Sequence, residues 1–193
     1  MSQQEIHIVL GVSGSISATK SQQLLIILRR KYGVHVRLAM TRSAQKFIGE
    51  MSLRGVLEEP PYLDLWAPPG GGAGEPHIEW GIWADAILIA PATASILSRL
   101  WGGLYDDPVT LVASTIEERR WFIAPGMSGE MWSQRAIQRN VRDLKEWGVN
   151  FLGPVEGQVA SGNTGMRLME PADIAKNLVE KLGELGLINR KQG

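Results

Sequence analysis

The apolar positions of this chain switch repeatedly between two periods. Ile6-His7-Ile8-Val9-Leu10 is an apolar run of strand length, and Gly11-Val12-Ser13-Gly14-Ser15-Ile16 follows it as a turn. Beyond the turn, Leu24, Leu25, Ile27 and Leu28 recur at helical spacing until Tyr32-Gly33 stops the pattern. Residues 34–40 alternate as a second strand, and Thr41-Arg42-Ser43-Ala44 reads as a polar turn opening a helix through Phe47. Residues 86–90 form a further apolar strand that ends in Pro91-Ala92-Thr93-Ala94-Ser95, a small-residue turn into a helix. Strand 121–124, a helix from 133 to about 147, strand 149–152 and a terminal helix opened by Pro171 complete the pattern. Strands alternating with helices predict a parallel sheet with crossover helices, expected as a single domain over 1–193.

Two stretches lack a period. Residues 58–76 are rich in proline and glycine, including Pro68-Pro69-Gly70-Gly71-Gly72, and read either as a lid or as a tolerated insertion. Residues 153–169 form a second long loop.

Composition narrows the chemistry. Lys plus Arg equal Asp plus Glu at 20 each, which argues against nucleic acid or an anionic membrane as the main partner. No cysteine is present, so disulfides, thiolate nucleophiles and cysteine-bound metals are excluded. Residues 1–5 are polar, and no apolar run reaches membrane-spanning length, so a soluble cytoplasmic chain is the expectation.

Ligands of parallel sheets bind beyond the carboxyl ends of the strands. That rule puts Gly11, Ser13, Gly14, Ser15, Thr41, Ser43, Ala92, Thr93 and Ser95 on one rim. Glycines permit close backbone approach, while hydroxyls and the amides of helix N-termini suit an anion such as phosphate. The first turn is neither a Walker pattern nor a full G-x-G-x-x-G, so an ordinary α/β connection is the competing reading. His7 and His35 lie inside strand patterns and read as structural; His77, after the first long loop, is the histidine to test. No metal site is expected.

Six motifs in order resemble the homo-oligomeric flavin-containing cysteine decarboxylase family: G-x-S-G-S-I at 11–16, T-x-S-A at 41–44, His77 ahead of Ala84-Asp85, P-A-T-A at 91–94, P-x-M-x-x-x-M-W at 125–132, and A-x-G-x-x-G at 160–165. The resemblance implies a flavodoxin-like, Rossmann-type three-layer sandwich with a parallel sheet of about six strands. It implies FMN as cofactor, with FAD left open, and assembly as a homotrimer or homododecamer. By the same resemblance Gly11, Ser13, Gly14, Ser15, Thr41 and Ser43 hold the phosphate and ribityl chain, Ala92, Thr93 and Ser95 line the ring, Met127 packs near the flavin, and His77 is the base. The implied substrate is a peptide or small molecule ending in cysteine, contacted by Ser128, Met131 and Arg167, with residues 153–169 as a clamp.

Two positions depart from the family. Ser128 stands where the family loop carries a carboxylate-binding asparagine, and offers one donor instead of two; Arg167 is the compensating candidate. Ser161 stands where phosphopantothenoylcysteine decarboxylases carry a cysteine that protonates the ene-thiol, and a hydroxyl is a far weaker acid than a thiol. The expected reaction is therefore an FMN-dependent oxidative decarboxylation that stops at the ene-thiol, with His77, Ser128 and Ser161 as the residues that decide the chemistry. Alternatives are a phosphopantothenoylcysteine decarboxylase-like activity, a flavin prenyltransferase, suggested by Glu117-Glu118-Arg119-Arg120, and a non-catalytic FMN-binding subunit.

Overall fold

The structure is a computed structural model that describes residues 5–67, 69, 75–158 and 164–189. Seven strands are present among them: β1 (Ile6–Val12), β2 (Val34–Met40), β3 (Ala86–Ala92), β4 (Trp121–Pro125), β5 (Asn150–Phe151), β6 (Val155–Gln158) and β7 (Thr164–Arg167). The α-helices are α1 (Ser21–Tyr32), α2 (Met51–Arg54), α3 (Pro76–Trp83), α4 (Ala94–Gly102), α5 (Pro108–Ala113), α6 (Gly129–Trp132), α7 (Arg135–Glu146) and α8 (Pro171–Glu184).

Because successive strand residues point to opposite faces, β1 sorts its own side chains into two cores. Ile6, Ile8, Leu10 and Val12 join Leu24, Leu28, Ile174 and Leu178 of α1 and α8 on one face. Val9 faces the other way, where Ile87, Ile89 and Ile123 pack against Trp80, Leu97, Val109 and Val141 of α3, α4, α5 and α7. Strands apolar on both faces are what a parallel sheet buried between two helical layers requires. The expected three-layer α/β sandwich is therefore the observed architecture.

The sheet runs β2-β1-β3-β4-β5, with every pair parallel. The chain leaves β1 to one side for β2 and returns on the other side for β3, so the carboxyl ends of β1 and β3 border the crevice of a flavodoxin-type switch point.

Three expectations need correction. The sheet has five strands rather than the about six that the resemblance implied, matching the five strand segments of the apolar pattern; Gly153, at φ 88°, turns the chain out of the sheet after β5. The expected loop 153–169 instead contains an antiparallel hairpin, β6 with β7, in which Val155 pairs with Arg167 and Gln158 with Thr164. The helix expected through Phe47 is a short 3-10 turn, Ala44–Lys46. Part of the 58–76 stretch is anchored: Tyr62 bridges to Ala39 and is 2 % exposed beneath Trp80, whose ring centroid lies 5.7 Å away. Among the described residues no helix is long and apolar enough to cross a membrane.

Candidate functional site

A cleft of about 1140 Å³ opens over the carboxyl ends of β1, β2 and β3. Sites for drug-sized ligands run to roughly 300–1,000 Å³, so a nucleotide-sized ligand fits with room beside it.

The turns that make its floor are tied together before any ligand arrives. Ser13, 2 % exposed, donates its hydroxyl to the Pro91 carbonyl at 2.7 Å and accepts the Thr93 N–H at 3.0 Å. Its own N–H donates to the same carbonyl at 3.2 Å. This one side chain therefore clasps the turn after β1 to the turn after β3. On the other flank, Thr41 donates its N–H to the Val12 carbonyl at 3.0 Å, and the Thr41 and Ser43 hydroxyls pair at 3.0 Å. Gly14 is set against this turn so closely that a Cβ there would lie 2.5 Å from the Ser43 hydroxyl and 2.8 Å from its carbonyl carbon.

Ser15 is different. It precedes the 3-10 turn Ile16–Lys20 in an extended conformation, and its side chain makes no capping bond. Its hydroxyl oxygen is buried with no hydrogen-bond partner among the described residues and lies in the cleft wall. An unpaired buried hydroxyl costs free energy unless something bonds it. With the neighbouring backbone amides and the N-terminus of α4, capped by Thr93 through the Ile96 N–H at 3.4 Å, it forms a cradle suited to an anion.

The opposite wall comes from Met127, Ser128 and Met131 on the loop after β4, and from Gln158, Met166, Arg167 and Leu168 of the hairpin and the strand end beyond it. Ser128 caps α6, accepting the Met131 N–H at 3.4 Å. The Glu130 backbone amide, helped by the Ser128 hydroxyl, holds the exposed Glu130 carboxyl below its ordinary range. Arg167 pairs with Glu170, which Lys20 holds from the other side at 3.0 Å. The Lys20 bond, reinforced by Arg167 and opposed by partial burial, holds the Glu170 carboxyl below its ordinary range. Arg99 pairs with Asp106 on the same wall. Asp107 lines the cleft while capping α5 through the Val109 N–H at 2.9 Å and the Thr110 N–H at 3.1 Å. Burial pushes its carboxyl up, against the pull of those amides.

Ser13, Gly14, Ser15, Thr41, Ser43, Thr93, Ser95, Met127, Ser128, Met131 and Arg167 are thus brought to one cleft. Gly11 is not: it lies inside β1, where its missing Cβ leaves room for Val109, whose Cγ1 would be 2.6 Å away. Ala92, fully buried, ends β3 below the rim. His77 does not line the cleft either. It sits in the first turn of α3, where its carbonyl accepts the Thr115 hydroxyl at 2.9 Å, beyond the far end of α5 from Asp107. Ser161 lies outside the described residues. Sequence reasoning missed Asp107 and the hairpin residues Gln158 and Met166. The Asp107-Pro108 pair, a capping residue before a first-turn proline, was a readable signal for the former.

Comparison with known proteins finds relatives that cover nearly the whole chain. A family model described as Flavoprotein matches residues 1–183. Coenzyme A biosynthesis bifunctional protein CoaBC of Escherichia coli (strain K12) is 37% identical over 168 residues, which are 86% of this chain and 41% of that protein. The chain thus spans about two-fifths of the length of such relatives. Among solved structures, the FMN-dependent cysteine decarboxylase SpaF is 31% identical with a TM-score of 0.76, over 91% of this chain and 96% of that one. A cysteine-to-serine variant of PPC decarboxylase, complexed with pantothenoylaminoethenethiol, is 29% identical with a TM-score of 0.79, over 93% and 99% respectively.

Proposed function

We propose, from the premise that this chain belongs to the flavoprotein family, that its cleft binds FMN and catalyses oxidative decarboxylation of a C-terminal cysteine to an ene-thiol. The observation that carries the cofactor reading is the Ser15 hydroxyl, buried and without a partner among the described residues, in a cleft large enough for a flavin nucleotide. Kinship with SpaF supports FMN and a cysteine substrate.

Ser15, the amides around Gly14 and the paired hydroxyls of Thr41 and Ser43 would hold the phosphate, and Thr93 and Ser95 would border the ring. Met127 and Met131 would give the substrate end an apolar wall. When bound, the flavin supplies a two-electron acceptor at its ring. The substrate would lose carbon dioxide and two hydrogens, its two electrons passing to that acceptor and a double bond forming between the two carbons next to sulfur and nitrogen.

His77 would be the general base, which requires a second copy of the chain, because it does not reach the cleft of its own. The helix that carries it presents Ile78 and Ile82, 42% and 75% exposed, as a surface for such an assembly. Without a cysteine the protein has no thiol to return a proton to the product, so the reaction would end at the ene-thiol. The complex of the cysteine-to-serine PPC decarboxylase with an ene-thiol is in keeping with that ending. Kinship with CoaBC favours a second reading, in which the substrate is phosphopantothenoylcysteine instead of a peptide.

Incubation with peptides ending in cysteine, and separately with phosphopantothenoylcysteine, should yield a product lighter by carbon dioxide and two hydrogens from one of them. His77→Asn should retain flavin and lose that product. No mass loss from either substrate class by a flavin-loaded protein would overturn the proposal.

A further inference from the structure

The amino-terminal edge of the sheet, remote from the cleft, carries a cluster that the chemistry above does not use. His7 and His35 are direct partners in the β1–β2 register, so both side chains leave the same face of the sheet. Their ring centroids lie 5.2 Å apart at an interplanar angle of 33°. Glu5 completes the group: its carboxylate lies 3.9 Å from Nε2 of His7, and one ligand atom from each of the three residues falls within 4.8 Å of the others.

We propose that Glu5, His7 and His35 form a site for one divalent transition metal ion of the zinc class. Two imidazoles and a carboxylate are a donor set that such ions favour, with a fourth tetrahedral position left for water. Bond lengths near 2.0–2.2 Å place ligand atoms roughly 3.5 Å apart, so the cluster needs only a small contraction.

The surroundings orient the ligands. Nδ1 of His35 faces Glu58 at 3.2 Å, which leaves its Nε2 for the ion. The Asp85 carboxylate accepts the backbone N–H of His7 at 2.8 Å, which holds it 3.9 Å from the ring Nδ1 of that residue, while the ring Nε2 is the nitrogen nearest Glu5. Carboxylates behind the far nitrogens of ligand histidines fix their tautomer and strengthen them as donors. Trp83 packs against the His7 ring with centroids 4.9 Å apart and restricts its rotation. The cations nearby are engaged: Arg37 by Glu59 and Glu79, and Arg29 by Glu58. An ion here would join two adjacent strands to the residue that precedes the first of them, a structural role that leaves the cleft untouched.

The test uses the full flavin-loaded chain without any histidine tag, freed of metals by a chelator and titrated with Co²⁺ and then Zn²⁺. One ion per chain should bind, with the visible absorption of four-coordinate Co²⁺ bleached by Zn²⁺, and the thermal midpoint should rise as Zn²⁺ is added. His35→Gln and Glu5→Gln remove donors from partly exposed positions and should abolish or sharply weaken binding. Glu58→Gln, behind the ligand, should weaken it about tenfold. Flavin content and decarboxylation should not change in any of the three. No saturable Co²⁺ spectrum in the parent chain, or parent affinity retained in folded His35→Gln, as judged by circular dichroism, would overturn the proposal.

Discussion

The two edges of the one sheet are finished in opposite ways. At the carboxyl edge the strands end in hydroxyls and amides that are spent on one another, so that Ser13, Thr41, Ser43 and Thr93 build a fixed frame around the unpaired oxygen of Ser15. At the amino edge β1 and β2 carry two imidazoles, with the Glu5 carboxylate just ahead of β1, at longer distances from one another. On the readings proposed above, the difference teaches that a cradle for an extended anion has its donors pre-set, whereas a point-like cation would draw loosely held ligands together.

The sharpest way to break the comparison is to fill the frame at Gly14. A valine there would push into the Ser43 hydroxyl and backbone, and an overpacked contact of this kind costs about 1–3 kcal/mol. Gly14→Val should lower flavin affinity more than tenfold, measured by fluorescence titration, with Zn²⁺ binding at the amino edge unchanged. A parallel loss of Zn²⁺ binding would show that the two edges act as one unit.

Removing the clasp is expected to matter less to the ligand and more to the fold. Ser13→Ala leaves the part-buried Thr93 amide without its acceptor and removes the buried Ser13 bond to the Pro91 carbonyl, a loss of about 1–3 kcal/mol in urea unfolding. A loss below about 0.5 kcal/mol would mean that the turns are held by their backbone bonds alone.

The smallest effect belongs to the ion pairs that hold the hairpin side of the cleft. Glu170→Gln should change stability by no more than about 1 kcal/mol, because Lys20 and Glu170 are substantially exposed. Its signature is in pH. A carboxyl held below its ordinary range contributes stability that is complete above that range and disappears as pH falls through the lowered value. The parent should therefore show an acid limb in hairpin protection, followed by hydrogen exchange at Met166 and Arg167, that the Gln variant lacks.

Much of this was legible in residues. The apolar run Ile6-His7-Ile8-Val9-Leu10 announced β1, although the strand extends through Val12 into the expected turn, and the hydroxyls after β1, β2 and β3 announced the rim. What stayed hidden depended on contacts between segments distant in the chain. His7 and His35 each read as a strand residue, and only the parallel register sets them side by side. His77 follows a long loop on the page, yet α3 packs beside α5 and carries it away from the cleft. The hairpin was invisible because Val155-Glu156-Gly157-Gln158 and its partner Thr164–Arg167 are each only four residues long, too brief a pattern to register as strands.

The Ser13 clasp has a consequence for anyone who would redesign or trade the cleft. Since one hydroxyl stitches the loop after the first strand to the loop after the third, neither can be grafted from a relative by itself. A chimera that imports the first loop without the residues at 91–93 would inherit a seam with mismatched halves. The two segments are one heritable part, written in two places along the chain.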